Sequence, residues 1–205
     1  MKQWIMTTCS FRPLLSIHST RCTLLSVVFL LVSVLSADVS SAKEVGITNL
    51  IVTNTKNDLL LYLTVENSFP DTVIAAVEHG LPTTFSFYVV LYQSRSFWFD
   101  KKLVDETVTH TVQYNNLKKE YVVTRSWDTE KTRVVKTLEE AMNLMVDIDG
   151  LKVIPLKKLE KGRQYQLLTK VRLKKATLPF SLHYVLLFMT FWDVETDWYS
   201  VDFIF

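Results

Sequence analysis

The chain has 205 residues, 48% of them hydrophobic, with 23 Lys+Arg set against 21 Asp+Glu. From residue 43 onward the charges balance at 20 of each, so nothing in the composition points to nucleic acid or an anionic membrane as the main partner. That remainder holds no cysteine, which excludes disulfides and thiolate chemistry there, and its roughly 160 residues suit one domain that buries a core without covalent staples.

Residues 1–42 read as a secretory leader. Lys2, Arg12 and Arg21 precede the apolar run TLLSVVFLLVSVLS (residues 23–36), and small residues follow it. A basic region, a short apolar stretch and a small-residue cleavage site form the three-part pattern of a signal peptide. Ser40-Ser41-Ala42 fits the small-x-small rule, so cleavage is expected near Ala42. The run falls short of the about 20 residues that a membrane-spanning helix needs. Left uncleaved, residues 22–37 would instead tether the chain to the inner membrane. Cys9 and Cys22 precede the run, the wrong side for a lipidated cysteine.

Alternation governs the rest. Strands are expected over residues 45–54 and 58–67. A short helix over 71–79 follows, with Val73, Ile74 and Val77 inward, Gly80 as the left-handed residue past its end and Pro82 preventing continuation. Phe85, Phe87, Val89 and Leu91 then share one face of a strand whose margins are Ser86 and Gln93. Val104, Val108 and Val112 alternate with Asp105, Thr107, Thr109 and Thr111 in the next strand, and further strands are expected over 120–126 and 133–136. Thr137-Leu138-Glu139-Glu140 is a capping box, and Leu138, Ala141, Met142 and Met145 form one apolar stripe of a second helix.

After a strand over 151–154, Tyr165, Leu167, Thr169, Val171 and Leu173 alternate with Gln164, Gln166, Lys170, Arg172 and Lys174. Strands over 183–194 and 198–205 complete the chain. The pattern predicts a mainly β fold, an antiparallel β-sandwich of about ten strands, with two short helices plugging its ends or covering a face.

The chain carries few signatures of chemistry. There is no Gly-x-Ser-x-Gly, no His-Glu-x-x-His and no phosphate-cradling glycine loop. Asp147-Ile148-Asp149-Gly150 is similar to part of a calcium loop, but aligned on the glycine the first ligand would be Met145 and the bidentate acid Leu156. The segment is therefore expected to be a turn after the helix. His79, His110 and His183 are each isolated in sequence, and structural roles are expected for all three. No cofactor, metal or catalytic residue is expected.

Phe97-Trp98-Phe99-Asp100 raises a sharper choice. On a strand Phe97 and Phe99 would share the core-facing phase of Phe85 to Leu91, with Trp98 on the opposite face. The expectation is a corner covered on both faces, with Asp100 capping backbone amides and Trp98→Ala costing about 3–5 kcal/mol. The alternative is a partner-binding site formed by Arg95, Trp98 and Asp100.

Glu78-His79-Gly80-Leu81-Pro82, an alternating strand, Phe97-Trp98-Phe99-Asp100-Lys101, Thr137-Leu138-Glu139-Glu140-Ala141 and Trp198-Tyr199 together resemble an uncharacterised bacterial exported family, domain of unknown function 4390. The resemblance covers most of the chain beyond the leader and implies an envelope location, with no activity to carry over. Where members of that family often place several arginines before the aromatic corner, this chain has Arg95 alone.

The resulting expectation is an exported periplasmic, non-enzymatic module that binds an envelope protein or assists assembly, with membrane contact confined to the N-terminal segment. One alternative is a lipid or apolar-ligand carrier whose groove is lined by Leu59, Leu61, Leu63 and residues 185–191. Another is a small outer-membrane barrel, because Tyr199, Val201, Phe203 and Phe205 alternate as in a barrel's terminal strand.

Overall fold

The computed structural model describes residues 45–96, 98–174 and 195–205. Its elements run β1 (Gly46–Asn54), β2 (Asp58–Glu66), α1 (Asp71–Glu78), β3 (Thr83–Gln93), β4 (Lys101–Asn115), β5 (Glu120–Arg125), β6 (Thr132–Val135), α2 (Leu138–Val146), β7 (Asp147–Pro155), a 3-10 turn (Leu156–Lys158), β8 (Gln164–Lys174) and β9 (Tyr199–Ile204). Every described strand pair is antiparallel.

Two sheets form, β1-β2-β7 and β6-β5-β4-β3-β8-β9, and they face each other as a sandwich. Among the described residues both sheets are open, whereas a barrel requires one closed sheet. The expected strand over 183–194 lies outside the described residues.

The core is the product of the alternation. Leu59, Leu61, Leu63 and Val65 of β2 meet Phe85, Phe87, Val89 and Leu91 of β3 and Tyr165, Leu167, Val171 and Leu173 of β8 in one buried cluster. Burying rings such as Phe85 and Phe87, each almost fully enclosed, contributes roughly 1.5–3 kcal/mol apiece. Strand β3 begins at Thr83, before its expected margin at Ser86, and ends at Gln93 as expected; Ser86 and Gln93 are both buried. It lies at the centre of the large sheet, between β4 and β8, where both of its edges are paired.

Strand β7 corrects the expected turn after α2. Asp147, Ile148, Asp149 and Gly150 belong to the strand itself, paired with β2. The reason is a bulge. Ile148 and Leu151 are three residues apart and a strict two-residue period would send them to opposite faces, yet both are buried. The register with β2 shifts between Leu61 and Tyr62, opposite Gly150 at φ 80°, and the extra residue restores the phase. The Tyr62 hydroxyl oxygen lies 3.4 Å from where a Cβ at Gly150 would stand, an ordinary contact, so the positive φ rather than crowding is what favours glycine there.

Both helices sit where expected. The end of α1 is a Schellman motif: Leu81 N–H donates to the Ala76 carbonyl, Gly80 N–H to that of Val77, and Gly80 has φ 79°. At α2, Thr137 Oγ1 accepts from Glu140 N–H at 3.3 Å. The connections β2–α1–β3 and α2–β7 place both helices at one end of the sandwich, the end that also holds the β4–β5 turn. Among the described residues the opposite end is made of loops and the 3-10 turn.

Candidate functional site

Two polar constellations stand out, one buried among the elements and one exposed on the loop end. The buried one surrounds His110 of β4, which is fully enclosed. Its Nδ1–H donates to the Met145 carbonyl at 2.9 Å, and its Nε2 accepts from the Trp127 indole at 2.7 Å. An indole only donates, so both bonds are made together by the neutral Nδ1–H tautomer alone. Arg125 of β5 donates Nε and Nη2 to the Leu144 carbonyl at 3.1 and 2.8 Å, and its Nη1 lies 3.9 Å from Asp128, which also pairs with Arg133 at 3.1 Å.

The last carbonyls of a helix have no partners within it. Here Leu144 and Met145, near the end of α2, obtain theirs from two side chains of the large sheet. Burial pushes the His110 imidazole down to about 4, with the Arg125 charge adding to the shift and the Met145 hydrogen bond and Asp128 opposing it. With both ring nitrogens engaged and no access to water, His110 is a structural residue. His79 is exposed and bonds the Ala75 carbonyl of its own helix at 2.6 Å, and His183 lies outside the described residues. Among the described residues no group of three or more His, Cys, Asp or Glu converges on a possible metal position.

The exposed constellation is the β3–β4 connection, residues 94–100. It corrects the expected covered corner. Strand β3 ends at Gln93, so the alternation that would assign faces to the aromatic residues stops before they begin. Trp98 is 78% exposed and Phe99 97% exposed, while Phe97 lies outside the described residues. The Asp100 expectation holds: its Oδ1 accepts the Arg95 N–H at 3.1 Å and closes the base of the loop. Ser94 N–H donates to the Gln164 carbonyl of β8 at 2.9 Å and fixes the loop to the neighbouring strand. Arg95, Trp98 and Asp100 are thus brought together on one pinned hairpin tip, and Phe99 joins them.

Because Trp98 and Phe99 bury little, Trp98→Ala and Phe99→Ala should each leave stability within about 0.5 kcal/mol of the parent, as surface substitutions do. Thermal unfolding of the single variants checks this. A loss near the 3–5 kcal/mol of a core aromatic would return Trp98 to the interior.

The tip has neighbours that the chain order hides. Antiparallel pairing of β3 with β8 sets Gln93 opposite Tyr165, so the connection over residues 156–163 lies beside the tip. Leu156 N–H donates to the Asn57 carbonyl at 2.8 Å and draws in the β1–β2 turn, and the Phe205 N–H donates to the Arg163 carbonyl at 3.2 Å. Lys56, Asn57, Asp58, Pro155, Leu156 and Lys157 outline a shallow depression on this end. The lysine run in 156–163 is visible in the sequence, but its adjacency to Trp98 depends on a long-range strand pairing.

The proposed groove does not form on the β2 side. Leu59, Leu61 and Leu63 are at most 3% exposed and lie in the closed core, and residues 185–191 are outside the described residues.

The chain belongs to the family described as Domain of unknown function (DUF4390), which matches residues 42–202. No curated protein and no solved structure matches it.

Proposed function

We propose that this chain is an exported envelope protein that works as a non-enzymatic binding module, with the loop end of the sandwich as its contact surface. The observation that carries the reading is the pinned hairpin tip with Trp98 and Phe99 in water. Two adjacent large aromatic side chains on a loop held by hydrogen bonds at its base are costly to leave exposed, and such patches mark interaction sites. Large aromatic residues are also common anchors at binding surfaces. The leader pattern of residues 1–42 supports export, and the enclosure of His110 with both ring nitrogens engaged supports a structural rather than a catalytic role for it.

In cells, amino-terminal sequencing of the envelope form should find a start near Lys43; an intact Met1 start would replace the cleaved leader with an anchor. The function itself is tested by a Trp98→Ala/Phe99→Ala double variant, followed by fractionation. The folded double variant is expected to leave the envelope pellet and appear in the soluble periplasmic fraction. Retention in the pellet equal to that of the parent would remove the tip from the binding surface.

A further inference from the structure

We propose that the loop end is a docking surface for an anionic phospholipid bilayer, with Trp98 and Phe99 as the residues that enter it. The proposal rests on the contact-surface reading above and names its partner. Residues 55–58, 94–102 and 156–163 carry eight bases against three acids, although the chain beyond the leader is balanced overall. All eight bases are exposed. Lys102 is held by Asp105 and Arg163 by Glu160, whereas Lys56, Arg95, Lys101, Lys157, Lys158 and Lys161 have no ion pair among the described residues.

The helix-bearing end carries the compensating acids, among them Glu66, Asp71, Glu78, Glu139 and Glu140. Separated charge of this kind orients the domain with its loop end toward an anionic surface.

Residue type separates lipid from protein as the occupant. Six of the eight bases are lysines, a residue depleted from protein–protein interfaces. Lysine and arginine surrounding exposed Trp and Phe is instead the composition of segments that lie in the membrane–water interface. Long basic side chains reach the headgroups while aromatic rings enter just below them. At the base of the tip the N–H groups of Arg95 and Ser94 are already bonded, to Asp100 and to the Gln164 carbonyl, so the loop presents its aromatic residues on a fixed base.

The test uses the full chain carrying Cys9→Ser and Cys22→Ser, with an environment-sensitive fluorophore on either Phe99→Cys or Leu117→Cys. Leu117 is 95% exposed at the β4–β5 turn, on the opposite end, so the two probes share everything but position. On vesicles of phosphatidylethanolamine and phosphatidylglycerol, the probe at 99 should shift to the blue and be quenched by nitroxide-labelled lipid. The probe at 117 should remain in water. High salt or neutral phosphatidylcholine vesicles should abolish the response. Attachment by the leader alone would leave both probes in water.

Lys157→Gln/Lys158→Gln/Lys161→Gln should lower partition of the tip about a hundredfold, at about fivefold per charge. Equal responses at 99 and 117, an equal response on neutral vesicles, or no effect of the triple variant would overturn the proposal. A probe at 99 that stays in water, while Trp98→Ala/Phe99→Ala still releases the chain from the envelope, would assign the surface to a protein and defeat the lipid assignment alone. Failure of both experiments would defeat the contact-surface reading as well.

Discussion

Acidification from pH 7 to pH 4 should remove about 3 kcal/mol of folding stability through His110 alone. In the folded chain the imidazole titrates near 4, because burial penalises its charged form and Arg125 stands close by. In the unfolded chain it titrates near the ordinary 6.5, so as pH falls the unfolded state takes up the proton first. The contribution is therefore fully present above about pH 6.5, declines through the window between the two values and is exhausted near pH 4. Protonation would also place an N–H against the Trp127 N–H, ending the 2.7 Å hydrogen bond.

His110→Asn isolates this component from the carboxylates that titrate in the same range. An asparagine amide can still donate toward the Met145 carbonyl but cannot reach Trp127, so about 1–3 kcal/mol should be lost at neutral pH. Denaturant unfolding of parent and variant across pH 4 to 7 should give a steeper pH dependence for the parent. Parallel curves would show that His110 is not the buried neutral donor described above.

Arg125→Met should cost about 2–4 kcal/mol. The substitution keeps much of the aliphatic packing while removing both donors from the Leu144 carbonyl, which then remains unpaired near the end of α2. It also leaves Asp128 with Arg133 as its single cation within reach among the described residues. Burial, followed by repulsion from Arg133, pushes the Arg125 guanidinium below its usual value, but a guanidinium does not discharge, so the site depends on its bonds being complete. Arg125→Lys should not restore stability, since one ammonium cannot supply the forked pair of N–H groups that Leu144 receives.

The effect should be coupled to that of His110, because the two side chains hold successive carbonyls of one helix turn. A double-mutant cycle by chemical unfolding measures the coupling. An Arg125→Met loss below about 0.5 kcal/mol would mean that the end of α2 does not need this partner.

Much of the scaffold can be read from short-range pattern. Leu59 to Val65, Phe85 to Leu91 and Tyr165 to Leu173 announce buried strand faces, because the side-chain period of a strand is a property of the local backbone. Gly80 and Thr137 mark helix limits for the same reason: a left-handed residue and a hydroxyl acceptor act on amides only a few positions away. Where a local rule is interrupted, pattern misleads. The bulge at Gly150 made the expected turn over 147–150 the first part of strand β7, and the end of β3 at Gln93 left Trp98 and Phe99 outside the alternation that had placed them in a covered corner.

The polar sites were illegible for a different reason. His110, the Arg125–Trp127 segment and Met145 come from three stretches of chain, and nothing in the spacing says that they meet. Likewise the near-zero net charge concealed a basic loop end, because charge separation is a property of how strands are paired, not of their sum. The sequence by itself determined the elements, the faces they bury and the composition of each loop, all set by interactions a few residues long. Only the tertiary structure decided that residues 94–102 and 156–163 share one end while both helices occupy the other, since antiparallel pairing of β3 with β8 brings together loops about 60 residues apart.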